Sequence, residues 1–136
     1  MHPLSVVQWR LVSRAIRMTV ESEGIAFARQ WAAAWNSHDL DAIMSHCSAD
    51  VVLMSPVAAK ILDDPSGTVR GDTALRNYFR RGLEVYPNLH FELPDVMCGL
   101  SSVVVSYTNQ IGTKTAECME FGRDGKIVRV VAHYSG

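Results

Sequence analysis

The apolar positions in the first part of the chain recur at helical spacing. Phe27, Trp31 and Trp35 lie four residues apart, which places their side chains on one face of a helix. Thr19 is a suitable N-cap, and the polar sequence Asn-Ser-His ends the pattern. The pattern therefore predicts an amphipathic helix over residues 19–36.

The next apolar segments are shorter and are separated by turn-forming residues. Asp39 is placed to cap a short second helix, and the β-branched segment 51–54 predicts a buried strand that Pro56 ends. Residues 57–70 contain the turn-forming run Asp63-Asp64-Pro65-Ser66-Gly67 and are expected to form a mobile loop. A third helix is predicted to begin after Gly71. Its inner face would carry Leu75, Tyr78, Phe79 and Leu83.

From Leu89 onward the apolar residues alternate with polar ones, as they do in half-buried strands. Strands are expected near residues 89–98, 102–109, 113–122 and 126–134. Asp124-Gly125 is a strong hairpin signal between the last two strands. Helices followed by an antiparallel meander predict an α+β domain over residues 19–136, with a long curved sheet wrapped around the helices.

Residues 1–18 differ from the rest of the chain, because they contain basic but no acidic residues. Arg10, Arg14 and Arg17 form one helical stripe, opposite a face of small and apolar residues. An extra amphipathic helix docked on the domain explains this pattern, and so does a translation start at Met18. A targeting or membrane-surface segment is a third reading, which the missing apolar core and cleavage site disfavour.

Composition and charge narrow the functional classes. The chain has 136 residues, of which 48% are apolar, and a formal net charge of -1, values typical of one ordinary globular domain. Basic residues are not interleaved with aromatic ones, so no nucleic-acid partner is expected. No segment approaches the ~18 apolar residues that span a bilayer, and no membrane partner is expected.

The spacing of cysteines and histidines predicts neither a disulfide framework nor a metal motif. Cys47, Cys98 and Cys118 are dispersed, and an odd count suits a reducing compartment, so a cytoplasmic location is expected. The five histidines form no HxxxH or HExxH pair. No cofactor is expected, although a metal site assembled only by the fold stays open.

Strand alternation assigns Glu117 to the inner face of the sheet. Thr115 and Met119 share its face, and a carboxylate between them is costly unless it is paired, protonated or hydrated. Glu117 is therefore the leading acid-base candidate. An ion pair with Arg29 or Arg70 is the alternative interpretation of the same position.

Three segments carry a resemblance to a known family: WAAAWNSHDLDAI, VVLMSPV and GTVRGDTALRNYF. Their order resembles the nuclear transport factor 2-like superfamily, especially its SnoaL-like and ketosteroid-isomerase-like branches. The resemblance implies a cystatin-like cone, in which three helices pack on a curved antiparallel sheet around a small pocket, preceded here by an extra N-terminal helix.

The same resemblance argues against ketosteroid isomerase activity. It places Trp31 at that enzyme's tyrosine, Ser55 at its general base and Glu117 at its protonated carboxyl group. A serine without an adjacent histidine does not abstract a carbon-bound proton at a useful rate. For other branches, Arg70 is a weak match to the arginine of limonene epoxide hydrolase, and His46 to a histidine of scytalone dehydratase.

Two functions follow from the resemblance. The first is binding of a small, largely apolar, oxygenated ligand. The alternative is a cofactor-independent isomerase, dehydratase, cyclase or hydrolase in which Glu117 is catalytic. The residues expected to contact the ligand are Trp31, Trp35, Ser55, Tyr78, Tyr107, Asn109, Met119 and Tyr134. The outer face of the sheet, with Val104, Cys118, Ile127 and Val131, is expected to form a homodimer interface.

Overall fold

The computed structural model describes residues 5–92 and 94–136, with the backbone alone for residues 6–20. The helices are α1 (Val6–Asn36), α2 (Leu40–Met44), α3 (Pro56–Ile61) and α4 (Asp72–Val85). The strands are β1 (Cys47–Met54), β2 (Thr68–Arg70), β3 (Asp95–Cys98), β4 (Ser102–Thr108), β5 (Lys114–Phe121) and β6 (Ile127–Tyr134). No helix in the described ranges is long and apolar enough to cross a membrane.

Helix α1 is continuous from Val6 to Asn36, so the predicted helix start at Thr19 is wrong. The chain has no Gly or Pro between Val6 and Glu23, and a threonine inside a helix lowers stability only slightly. The N-terminal helix itself is present. The side chains of Arg10, Arg14 and Arg17 lie outside the described part, and docking of this segment stays a prediction.

The first strand and the segment after it depart from the prediction. β1 begins at Cys47, four residues earlier than expected, and ends at Met54. Residues 57–70 are not a loop, because they contain most of α3 and all of β2. Ser55 caps α3 and Pro56 occupies its first turn, where the missing N–H of proline costs nothing. The Ser-Pro sequence therefore starts a helix as well as ending a strand.

The six strands form one sheet in the order β2-β1-β6-β5-β4-β3. β1 and β6 pair in parallel and all other neighbours are antiparallel, so the sheet is mixed rather than fully antiparallel. β3 begins at Asp95, later than predicted, and residues 89–92 are not a strand. Asn36 binds the backbone of Phe91 at both its N–H and its C=O, which holds this segment against α1 instead.

The inner face of the sheet packs against α1 and α4 and forms the core. Val105, Thr115 and Met119 are almost fully buried, which confirms the alternation predicted for β4 and β5. Ile127 is also buried, at 2% exposure, so its assignment to the outer face is wrong. The pairing register of β6 shifts against both of its neighbours, β1 and β5. Such a β-bulge brings Ile127 and Val130 to the same face of the sheet.

Candidate functional site

A cavity of about 500 Å³ lies between the inner face of the sheet and helices α3 and α4. Its walls come from every layer of the fold and are mainly aromatic or aliphatic. They include Trp35, Leu53, Phe79, Leu89, Phe91 and Ala132. This volume is within the range of small-molecule sites, which are concave and mostly apolar.

Seven of the nine residues predicted from the sequence line this cavity: Trp35, Ser55, Tyr78, Tyr107, Asn109, Glu117 and Tyr134. Trp31 lies behind the wall, where its ring is 5.4 Å from that of Phe91 and 5.5 Å from that of Tyr107. Met119 is fully buried in the core. Trp31 and Met119 therefore lie behind the cavity wall and do not form its surface.

Glu117 and Tyr107 form a hydrogen-bonded pair in the cavity wall. The Tyr107 hydroxyl donates to Oε2 of Glu117 at 2.5 Å, and both side chains are buried. The register explains their approach, because Tyr107 lies opposite Thr115 and Val105 lies opposite Glu117. Tyr107 and Glu117 are thus diagonal neighbours on one face, within reach of a long aromatic side chain.

Burial raises the pKa of Glu117 from 4.5 to about 7, and the hydrogen bond from Tyr107 offsets part of that rise. Arg29 and Arg70 are exposed, and no ion pair among the described residues includes Glu117. The alternative of an arginine partner is therefore not observed. Near pH 7 the group is divided between its acid and carboxylate forms, so it can donate or accept a proton.

Three of the four phenols that line the cavity, Tyr78, Tyr107 and Tyr134, stay protonated at neutral pH. Burial raises the pKa of Tyr134 to about 12 and the pKa of Tyr78 above its ordinary value. Burial and the neighbouring Glu117 together raise the pKa of Tyr107 well above its ordinary value. Hydrogen bonding with the Ser55 side chain acts in the opposite direction on Tyr78 and Tyr134. The cavity is therefore supplied with neutral hydroxyl donors.

Ser55 takes its position from the end of β1 and the start of α3. Its hydroxyl accepts a hydrogen bond from the Val57 N–H at 3.1 Å, as an N-cap side chain does. Ser55 is thus both the N-cap of α3 and part of the cavity wall.

Sequence reasoning missed Phe91, which is central to the aromatic wall. Its ring centroid is 4.1 Å from that of Tyr107, and its backbone accepts and donates one hydrogen bond each with Asn36, at 3.0 and 2.8 Å. The His38 ring contacts the Leu89 carbonyl at 2.8 Å. The sequence predicts only that Asn36 and His38 end a helix. No local pattern indicates their contacts 51 to 55 residues away.

The cavity mouth is more polar and more exposed. Lys60 and Gln110 line it together with the exposed side chains of Tyr86 and Ile111. Asn109 also lines it, but its Oδ1 accepts from the backbone N–H groups of Ile111 and Thr113. The side-chain carbonyl of Asn109 therefore stabilises the turn between β4 and β5. Only the side-chain NH₂ of Asn109 is available to a ligand.

Arg70 and His46, which the sequence matched to two other branches, both lie outside this cavity. Arg70 is exposed on β2 and does not line it, and His46 lies outside it with its ring 5.5 Å from that of Phe27. Of the described lining residues, Glu117 is the one carboxylic acid and none is a histidine. The described residues also include no cluster of three or more potential metal ligands.

Comparisons with known proteins agree with this architecture. Residues 28–130 match the sequence model of the SnoaL-like domain. A SnoaL-like protein of unknown function from Burkholderia thailandensis is 40% identical, with a TM-score of 0.78 over 82% of this chain and 92% of that chain. No curated protein matches the sequence.

Two more distant structures share the fold alone. A protein of unknown function with a cystatin-like fold from Methylobium petroleophilum is 17% identical, with a TM-score of 0.66 over 84% of this chain and 77% of that chain. TerC, co-crystallised with polyporic acid, is 19% identical, with a TM-score of 0.66 over 82% of this chain and 92% of that chain. As the sequence motifs predicted, the chain belongs to the SnoaL-like family and has its cystatin-like α+β fold.

Proposed function

We propose that this protein binds a small, largely apolar, oxygenated molecule in the cavity. The observation that carries the proposal is the buried pair of Glu117 and Tyr107 in an otherwise mainly aromatic wall. A buried carboxyl group lowers stability, and ligand recognition gives a reason for keeping it there. Co-crystallisation of TerC, which has the same fold, with polyporic acid supports an oxygenated ligand.

Aromatic walls would supply most of the affinity, and the polar pair would set orientation. Trp35, Phe79 and Phe91 offer ring faces to an apolar body. Burying ~200 Å² of apolar ligand surface stabilises a complex by about 5 kcal/mol before the entropic cost of binding. A hydrogen bond to Glu117 adds less affinity but rejects ligands that leave the carboxyl group unpaired.

Native mass spectrometry of protein purified from its own host tests the proposal directly. A stoichiometric small molecule, released on denaturation, is the expected result, and adding it back should raise the melting temperature. Glu117→Gln should weaken this stabilisation, whereas Glu120→Gln, on the exposed face of the same strand, should not. Co-purification without any stabilisation on adding the compound back would contradict specific binding.

The alternative function is cofactor-independent acid-base catalysis by Glu117. The observation that favours it is the pKa of about 7, which suits a group that takes up and releases a proton at neutral pH. Isomerisation, dehydration, cyclisation and hydrolysis all use such a group. Product formation that falls at least 100-fold in Glu117→Gln but not in Glu120→Gln would support catalysis. A bound compound that is recovered unchanged would favour binding.

A homodimer through the outer face of the sheet is part of the proposal. Met97, Val104, Cys118 and Val131 are successive cross-strand partners, so an apolar row crosses four strands, with Met97 67% exposed.

Light scattering tests this assembly. The wild-type protein is expected to have twice the monomer mass at micromolar concentration, and Val104→Arg is expected to dissociate it. Leu100→Arg is the matched control, because Leu100 is apolar and 93% exposed but lies outside the row. A wild-type monomer at high micromolar concentration would overturn the dimer.

A cytoplasmic location is proposed from the thiols. Cys47, Cys98 and Cys118 are all free, as expected in a reducing compartment. Fractionation of the host, with recovery of the protein outside the cytoplasmic fraction, would refute this location.

A further inference from the structure

The cavity mouth presents two side-chain amides whose carbonyl oxygens are already hydrogen-bonded. Asn109 and Gln110 are neighbours in the turn between β4 and β5, and both line the cavity. Oδ1 of Asn109 accepts from the backbone N–H groups of Ile111 and Thr113, and Oε1 of Gln110 accepts from the His90 N–H at 3.5 Å. Neither NH₂ group donates to a described side chain or backbone group, so both can donate to a ligand.

Lys60 adds a positive charge to the same mouth. It lies in the last turn of α3, is exposed and lines the cavity. No ion pair among the described residues includes Lys60, and of the described lining residues it is the one basic side chain. The mouth therefore has one ammonium group and two amide NH₂ groups to offer, all of them donors.

An anionic ligand group is disfavoured deep in the cavity and favoured at its mouth. The deep part has a mainly apolar wall and contains Glu117, which is 8% exposed. An anion placed there would lose its hydration and would be repelled by the carboxylate form of Glu117. At the mouth the same anion stays partly hydrated and meets the ammonium group of Lys60. The charges thus predict which end of a ligand faces outward.

We propose that the ligand is an apolar carboxylic acid whose apolar end enters the cavity first. Its carboxylate is then held at the mouth by Lys60, with the NH₂ groups of Asn109 and Gln110 as further donors. Lys60 brings a single positive charge, which matches a carboxylate better than a phosphate monoester of nearly two negative charges. This assignment rests on the proposed binding function, and it adds the charge and the orientation of the ligand.

Two matched probes test the charge: 2-naphthaleneacetic acid, which is ionised at pH 7, and its neutral amide, 2-naphthaleneacetamide. Isothermal titration gives both Kd values, and the ratio of the amide Kd to the acid Kd measures the preference for the carboxylate. Lys60→Met keeps most of the side chain and removes its charge, so this ratio should fall about threefold, as for loss of an exposed ion pair. Lys60→Arg keeps the charge and should keep the preference.

Lys114→Met is the matched control for Lys60→Met. Lys114 is also exposed, but it does not line the cavity, so the ratio should stay at its wild-type value. An increase in salt from ~0.05 M to ~0.5 M should lower the wild-type ratio, because salt screens an exposed ion pair.

Gln110→Glu tests the amide donors separately from Lys60. Glutamate keeps an acceptor for the His90 N–H and replaces the NH₂ donor by a negatively charged oxygen. The ratio of the amide Kd to the acid Kd should therefore fall below its wild-type value.

The outcomes separate this assignment from the proposed function. Failure of both probes to bind the wild type would overturn the proposed function together with the assignment. Binding of both probes with the same ratio in Lys60→Met as in the wild type would overturn the assignment alone. A stoichiometric co-purified ligand without a carboxylate would also overturn the assignment, while supporting the proposed function.

Discussion

Tyr107 and Glu117 lie diagonally across two antiparallel strands, and the phenol donates to the carboxyl group in a bond of 2.5 Å. Neither group has an ionic partner among the described residues, where this bond is the one side-chain hydrogen bond that either group makes. Their protonation is therefore coupled. Both the chemistry and the pH response of the cavity should follow from this one contact.

Removing the phenol should raise the pKa of Glu117 above its value of about 7. The Tyr107 hydrogen bond favours the ionised carboxylate, and without it only the effect of burial is left. Titration of the Glu117 carboxyl carbon by NMR in Tyr107→Phe measures the change. Tyr86→Phe is the control, because Tyr86 does not hydrogen-bond to Glu117. An unchanged or lower pKa in Tyr107→Phe would show that the bond does not act on the ionised form.

Glu117 should make the protein less stable as pH rises from 4.5 through 7. Its pKa is 4.5 when unfolded and about 7 when folded, so between these values the folded state holds a proton that the unfolded state has released. The loss reaches about 3 kcal/mol above pH 7. Chemical denaturation at several pH values should show this loss for the wild type relative to Glu117→Gln. A constant difference between the two proteins would contradict the raised pKa.

Asn36→Ala should loosen the aromatic wall. The change removes two hydrogen bonds to the partly buried backbone of Phe91, and leaving those groups unpaired costs about 1–3 kcal/mol. Because Phe91 lines the cavity, binding of the small molecule recovered by native mass spectrometry should weaken as well. Asn88→Ala, at an exposed position in the same segment, is the matched control. Equal effects of both variants on unfolding would argue against the role of Asn36.

Gly67→Ala should be more destabilising than Gly112→Ala. Both glycines have positive φ angles, +55° and +81°, so alanine at either position costs about 1 kcal/mol of backbone strain. At Gly67 the added Cβ would also lie 2.5 Å from the Ser55 carbonyl oxygen, whereas at Gly112 nothing lies within 4 Å. Denaturant melts compare the two. Similar losses would mean that the turn next to Ser55 relaxes freely.

Local patterns were sufficient for most of the fold and for the acidic residue of the site. Alternation along β5 placed Glu117, Thr115 and Met119 on the inner face, because a strand's side chains repeat every two residues. The same rule failed at Ile127, where a bulge in both neighbouring ladders shifts the register. A bulge depends on partner strands, and the sequence of β6 alone does not reveal it.

Contacts distant in sequence explain the other differences. A hydrogen bond to Asn36, 55 residues away, holds Phe91 in the cavity wall. No periodicity in either segment indicates that pair. The sequence thus predicted most of the residues that line the cavity, but it did not predict which distant residues contact one another.

The double role of Ser55 has a consequence for how new activities arise on this scaffold. Serine and aspartate are about equally good N-caps, so Ser55→Asp would keep the start of α3 while adding a carboxylate to the cavity wall. Its principal cost would be loss of hydration, because Ser55 is buried and burial already disfavours the charged form of Glu117. A second acid-base group is thus one substitution away, at a position where the architecture tolerates it. The scaffold can therefore acquire a cavity with two carboxyl groups by a single evolutionary or engineered substitution.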